Sequence, residues 1–143
     1  MTAPTWKLEF PYKRSVGPVI GGFLTGLRER RVLGAPTPDG RVLVPPLEYD
    51  PDTGEDTGEL REVGQAGVVE RATWVEHPLP NAPFDGPVAY ALVKLDGADT
   101  AMLHLLDAGS RHAVQPGMRV KIRWRAETTG HITDIECFEP EEG

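Results

Sequence analysis

The 143-residue chain carries a single cysteine, Cys137. No intrachain disulfide can form, and a zinc site built from several cysteines is excluded. An excess of positive charge is also missing. Lys+Arg is 15 against Asp+Glu 22, a net charge of -7, so the overall field repels polyanions and nucleic acid is not the default partner. Aromatic residues are 7% and hydrophobic ones 39% of the chain, which limits the core to a modest size. No run approaches the ~20 apolar residues of a membrane span. The N-terminus, with Lys7, Glu9, Lys13 and Arg14 among Pro and Tyr, lacks the apolar centre of a signal peptide. A soluble, cytoplasmic protein in a reducing compartment, away from membranes, is expected. Gly 16 and Pro 14 are plentiful, which favours short strands and turns over a helical bundle. The length suits one domain or a small domain with an appendage and excludes a large multidomain enzyme.

Charge divides the chain. Residues 1–31 hold six basic and two acidic side chains, whereas 48–70 hold eight acidic and one basic. In the first segment Val16, Ile20, Phe23, Leu24 and Leu27 form the stripe of an amphipathic helix, with Ser15 as a cap and Pro18 in the first turn. Gly17, Gly21, Gly22 and Gly26 each weaken that helix by about 1 kcal/mol relative to alanine. Something must therefore dock on it, either its own domain or another chain. Residues 32–62 alternate turn signals with short apolar runs and read as hairpin-like loops with little burial. They are too poor in large apolar residues to fold alone.

From Gly64 onward the pattern is that of an all-β domain. Candidate strands are Gly67–Glu76, Val88–Leu95, Thr100–Leu106, Arg119–Arg125 and Ile132–Phe138, with Asp96-Gly97 as a tight hairpin turn between the second and third. Five strands with a long first one and a long break between the third and fourth fit a five-stranded Greek-key barrel of the OB type. A sandwich of about seven strands fits less well. The domains expected are an N-terminal arm and helix (1–31), a ribbon-like segment (32–62), the barrel (63–139) and an acidic tail (140–143) that frays after Pro140.

Chemistry is sparse. His77, His104, His112 and His131 show no metal-ligand spacing, and no nucleophile elbow, phosphate loop or dinucleotide fingerprint is present. Cys137 lies beside Glu136 and Glu139, whose negative charge opposes a reactive thiolate and makes it structural filler. Asp39, Asp50 and Asp52 can be read as ligands of a hard cation or as turn residues, since Asp-Gly and Asp-Pro pairs favour turns. The sharpest pattern is Arg119, Lys121, Arg123 and Arg125, alternating with Val120, Ile122 and Trp124, so that a strand turns all four basic groups to one face. Three readings are open for that face: a solvated surface paired with the acidic tail, a contact for the phosphates of a ligand such as CoA, or a track for single-stranded nucleic acid. The last wants aromatics among the basic groups, and Trp124 points the other way.

An amphipathic helix, a two-knuckle ribbon and a five-stranded barrel, in that order, resemble the zinc-ribbon/OB-fold family also called domain of unknown function thirty-five, the acyl-CoA-associated OB-fold proteins. The likeness covers roughly residues 10–139. The family's ribbon pattern of Cys-Pro-x-Cys-Gly, x-Val-x-x-Pro-Pro and Cys-Pro-x-Cys-Gly overlies Pro36-Thr37-Pro38-Asp39-Gly40, Arg41-Val42-Leu43-Val44-Pro45-Pro46 and Asp50-Pro51-Asp52-Thr53-Gly54. Gly40, Val42, Pro45, Pro46, Pro51 and Gly54 match. The cysteine positions hold Pro36, Asp39, Asp50 and Thr53, so no zinc is expected. In the barrel, Gly67-Val68-Val69, Thr73 to His77, Pro87 to Asp96 and Pro116 to Val120 look like the family's strand signatures.

The resemblance implies a non-catalytic accessory subunit that binds and stabilises a thiolase-fold enzyme acting on acyl-CoA thioesters. Such an enzyme could be a thiolase, a synthase or a retro-aldolase of steroid side-chain degradation, in a complex of two copies of each subunit. The Gly/Pro/Arg-rich, lysine-poor composition points to a GC-rich bacterial source, which favours steroid or other acyl-CoA degradation. Trp6, Phe10 and Tyr12 of the arm and Ile20, Phe23, Leu24 and Leu27 of the helix are the expected partner contacts. The alternative is a subunit that binds CoA or an acyl-CoA, shared with the partner, through Arg119, Lys121, Arg123 and Arg125. An enzyme in its own right and a DNA- or RNA-binding module are the remaining, weaker readings.

Overall fold

A computed structural model of the chain describes residues 17–78, 80 and 86–141. Trp6, Phe10, Tyr12, Ser15 and Val16 lie outside these, as do the arm's expected contacts with them. Helix α1 runs Gly17–Arg28. Its stripe is turned inward: Phe23 is 3% and Leu27 0% exposed, both within the main core. Ile20 and Leu24 are only partly covered. The partner contact expected of Phe23 and Leu27 is thereby corrected, because the chain's own core already removes both side chains from solvent. Gly26 allows the close turn that follows, since a Cβ there would lie 3.0 Å from Leu33 Cδ1 and 3.2 Å from the Arg31 carbonyl.

The helix ends in a Schellman motif. The Arg31 amide donates to the Gly26 carbonyl at 2.8 Å and the Arg30 amide to the Leu27 carbonyl at 2.9 Å. The left-handed position, at φ 60°, is held by Arg30 rather than glycine. Its Nη2 donates to the carbonyls of Arg125 and Ala126 at 3.0 and 2.8 Å, and Gln65 Nε2 donates to the Arg30 carbonyl at 2.7 Å. These bonds anchor the end of the helix to the barrel.

Strands β1 (Val32–Pro36), β2 (Val42–Leu43) and β3 (Arg61–Val63) form an antiparallel sheet in the order β2-β1-β3. This segment was expected to bury little, yet Val32, Ala35, Val42, Leu43 and Val44 are all at most 3% exposed. The reason lies in the loop before the third barrel strand. The Val42 amide donates to Asp99 Oδ2 at 2.9 Å, and the Asp99 amide returns a bond to the Val42 carbonyl at 2.8 Å. Thr100 Oγ1 accepts from the Val44 amide at 2.8 Å and donates to its carbonyl. Thr100 is therefore drawn out of the strand it was expected to begin.

The barrel comprises β4 (Ala66–Val75), β5 (Val88–Leu95), β6 (Met102–Leu106), β7 (Arg119–Trp124) and β8 (Ile135–Pro140), closed in the order β4-β5-β6-β8-β7. Only β6 and β8, which meet at Leu106 and Phe138, are parallel. This is the OB topology expected. The break between β6 and β7 holds one 3-10 turn, Arg111–Ala113. At Gly67 the β4 backbone passes so close to β5 that a Cβ would run into the Lys94 carbonyl oxygen and lie 2.7 Å from Leu95 Cα.

One strand differs from its expected span. Ile132–Asp134 is a 3-10 turn, so β8 begins at Ile135. The Asp134 carboxylate, 1% exposed, accepts from the amides of Thr129 at 2.8 Å, Gly130 at 2.7 Å and His131 at 3.1 Å, which winds the chain before the strand. At its other end the strand continues through Pro140, and the Glu141 amide donates to the Arg119 carbonyl at 3.0 Å. Glu141, placed in the tail expected to fray, is thus paired with β7.

Candidate functional site

Strand β7 turns its side chains as the alternation requires. Val120 and Ile122 are 0% and 7% exposed and face the core, while Arg119, Lys121 and Arg123 face outward. The outward groups are already paired. Arg119 forks onto Asp96 at 2.9 and 2.8 Å and donates Nε to Glu141 at 3.0 Å. Arg123 meets Glu136, Glu139 and Asp107 at 3.1 to 3.2 Å, and Lys121 lies 3.9 Å from Glu139. Arg125 donates Nε to the Thr133 carbonyl at 2.6 Å. Hydrogen bonding from Arg119 holds the Asp96 carboxyl below its ordinary range. A CoA phosphate arriving on this face would have to displace carboxylates rather than meet bare cations, so the geometry favours the paired surface over the anion contact expected of Arg119, Lys121, Arg123 and Arg125. Trp124 turns inward and donates Nε1 to Gln65 Oε1 at 3.0 Å, away from the basic face.

Two of the histidines, His104 and His131, serve the local structure, while His77 and His112 are exposed. His104 Nδ1 accepts from the Leu105 amide at 2.8 Å, which leaves the proton on Nε2 to donate to the Ile132 carbonyl. Burial lowers its pKa. His131 caps the turn before β8 through Nδ1. Cys137 is 0% exposed, and burial, with Asp107, Glu136 and Glu139 adding to it, pushes the thiol up to about 11. Among the described residues no three His, Cys, Asp or Glu side chains come together as a metal site.

The two knuckles of the ribbon face each other. In the first, the Thr37 amide donates to the Arg41 carbonyl at 2.7 Å and the Gly40 amide to the Thr37 carbonyl at 2.9 Å. In the second, the Gly54 amide donates to the Asp50 carbonyl and the Asp50 amide to the Glu55 carbonyl, both at 2.7 Å. Between them lies the Arg41 guanidinium. It reaches Asp39 at 3.2 Å, Asp50 at 2.6 Å and Asp52 at 3.1 Å. Asp39, hydrogen-bonded by Thr37 and Arg41, and Asp50, held by the Asp52 amide and Arg41, both have lowered pKa values. The zinc of a ribbon does not fit here: Pro36 offers no donor, Thr53 only a hydroxyl, and the two carboxylates already hold a cation. A hard-cation reading of Asp39, Asp50 and Asp52 fails for the same reason.

Sequence reading missed Arg41, although a lone cation between two aspartate-rich turns is its signal. It also missed the exposed apolar side chains. Leu103 is 61%, Tyr49 55% and Leu47 42% exposed. Leu103 pairs with the partly covered Leu92 on the outer barrel face, next to the Tyr90 and Leu105 pair. A small second cluster of Val88, Leu105 and Cys137 lies on that same outer side. These cannot be found by periodicity alone, because inward and outward positions of β5 and β6 are both apolar.

The described residues thus form a closed OB barrel with a ribbon docked on its side and a basic strand face paired with carboxylates. The model of the ChsH2 C-terminal OB-fold domain family matches residues 60–125 of the chain. The resemblance seen in the helix, ribbon and barrel motifs therefore stands. Among solved structures the chain is similar to an Ltp2-ChsH2(DUF35) aldolase, with a TM-score of 0.66 and 21% identity over 88% of this chain and 97% of that one. It is also similar to a DUF35-family protein of unknown function from Sulfolobus solfataricus, with a TM-score of 0.66 and 19% identity over 91% of this chain and 88% of that one. No curated protein matches the chain.

Proposed function

We propose that the protein is a non-catalytic accessory subunit that binds and stabilises a thiolase-fold enzyme acting on acyl-CoA thioesters, with a retro-aldolase of steroid side-chain degradation as the favoured partner. The observation that carries this reading is the likeness, over 88% of this chain and 97% of the other, to a chain of the Ltp2-ChsH2(DUF35) aldolase, together with the ChsH2-type family match at residues 60–125. The paired state of the basic strand and the inert setting of Cys137 agree with catalysis residing in the partner.

On this reading the partner covers the exposed Leu47, Tyr49 and Leu103 and the half-buried Ile20 and Leu24, which supply apolar anchors without opening the core. The test is capture of the tagged protein from its native cells with identification of what elutes in stoichiometric amount. A thiolase-fold protein is expected. A Leu103→Asp, Tyr49→Ala double variant that folds as the wild type should capture at least ten-fold less of it, and undiminished capture would show that these side chains are not anchors.

A further inference from the structure

Zinc in a ribbon joins two turns that are otherwise held only by their own backbone bonds, and it does so from ligands on both. In this chain each turn is closed by bonds of its own, as described above. Among the described residues, the hydrogen bonds that join residues 37–41 directly to residues 50–55 are those of Arg41. Nε binds Asp39 on its own turn, Nη2 binds Asp50 and Nη1 binds Asp52 on the other. Asp39 and Asp50 occupy two of the positions overlaid by ribbon cysteines, one in each knuckle.

We propose that the Arg41 guanidinium takes the place of the ribbon's metal ion, a tethered cation that clasps the two knuckles through Asp39, Asp50 and Asp52. The chemistry fits an arginine in particular. A guanidinium is planar, carries donors pointing in several directions and remains charged at any working pH, so it can bridge three carboxylates at once. A lysine ammonium is a point charge that reaches fewer of them. Asp50 is 1% exposed and its other oxygen accepts the Asp52 amide at 2.9 Å, so its charge has little water to turn to. Removal of the guanidinium leaves that carboxylate uncompensated. The clasp also explains why the segment keeps a ribbon's glycine and proline frame without its thiolates. This inference is independent of the accessory-subunit reading, since it concerns what holds the ribbon and not what the ribbon meets.

The test is amide hydrogen exchange on the full chain, comparing wild type, wild type with excess chelator, Arg41→Lys and Arg41→Ala. The Gly40, Asp52 and Gly54 amides report the knuckles, and the Leu92 and Val93 amides of β5 report the barrel. In Arg41→Ala the knuckle amides should exchange at least ten-fold faster than in wild type, with Arg41→Lys between, while the β5 amides change by less than two-fold. Chelator should leave the wild type unchanged. Unchanged knuckle exchange in Arg41→Ala, or knuckle loosening by chelator in wild type, would overturn the proposal. If Arg41→Ala does not fold, Arg41→Lys is the deciding variant, and knuckle protection equal to wild type there would overturn it equally.

Discussion

Truncation of Leu27 to alanine tests most sharply whether α1 is part of the domain or a handle for another chain. Leu27 is 0% exposed and packs with Phe23, Val32 and Val63 in the main core. Three carbons are removed, worth about 2.4 kcal/mol at ~0.8 kcal/mol each, and incomplete collapse of the cavity raises the total to about 3 to 4 kcal/mol. For a domain of this size each kcal/mol lowers Tm by roughly 2–4 °C, so a drop on the order of 10 °C is expected. Leu24, only partly covered, should cost about 1 kcal/mol when truncated, since less of its side chain leaves water in the folded state. Urea unfolding and calorimetry of the isolated chain measure both. A loss below about 1 kcal/mol for Leu27→Ala, well under the usual range for a buried leucine, would mean that the helix is not docked in the free protein.

Other expectations follow from single residues. Arg30→Gly should be less destabilising than Arg30→Ala by about 1 kcal/mol, because both lose the bonds to Arg125 and Ala126 but only glycine relieves the left-handed backbone; denaturant midpoints would show an inverted order if the φ of 60° carried no strain. Gly67→Ala should cost about 3 kcal/mol by forcing β4 away from β5, seen as lost exchange protection at Val93 and Leu95, whereas a wild-type midpoint would refute the close approach. At Asp134 burial raises the carboxyl pKa, but the amides of Thr129, Gly130 and His131 outweigh it and the net shift is downward. Its contribution is therefore fully present above the unfolded value of about 3.9 and is lost as pH falls through the lower folded value. Asp134→Asn should cost about 1–3 kcal/mol at neutral pH, with the gap to wild type closing in acid. A gap that stays constant from neutral pH into acid would show that the carboxylate charge is not what the cap uses.

The sequence announced the barrel because its strands are punctuated by Pro and Gly, but the tight hairpin expected at Asp96-Gly97 is a longer loop: the turn is there, with the Ala98 amide donating to the Leu95 carbonyl at 2.9 Å, yet residues 96–101 separate β5 from β6. The alternation at β7 was readable for Arg119 to Arg123, whereas the strand ends at Trp124 and Arg125, expected to continue it, lies beyond it. Pairing of the basic face with the acidic end of the chain was one of its open readings, but the share of Asp96 and Asp107 was not legible, because the carboxylates come to it from three separate stretches of chain. Helix α1 showed its stripe but not its destination, since the apolar spacing of Phe23 and Leu27 is the same whether a core or a partner receives it. Ile132 to Asp134 reads as the beginning of a strand until the three amides gathered by Asp134 are seen. The burial of the ribbon depends on Asp99 and Thr100, more than fifty residues from the strand edge they satisfy.

The most direct measurement of the central claim is native mass spectrometry of the complex purified from native cells, with the partner identified by sequence and assayed for activity with and without this chain. The account predicts a thiolase-fold enzyme bound in equal copies, with two of each as the composition, that loses stability or activity toward its acyl-CoA thioester when this subunit is removed. A monomer that elutes alone, or a partner of another fold, would contradict it.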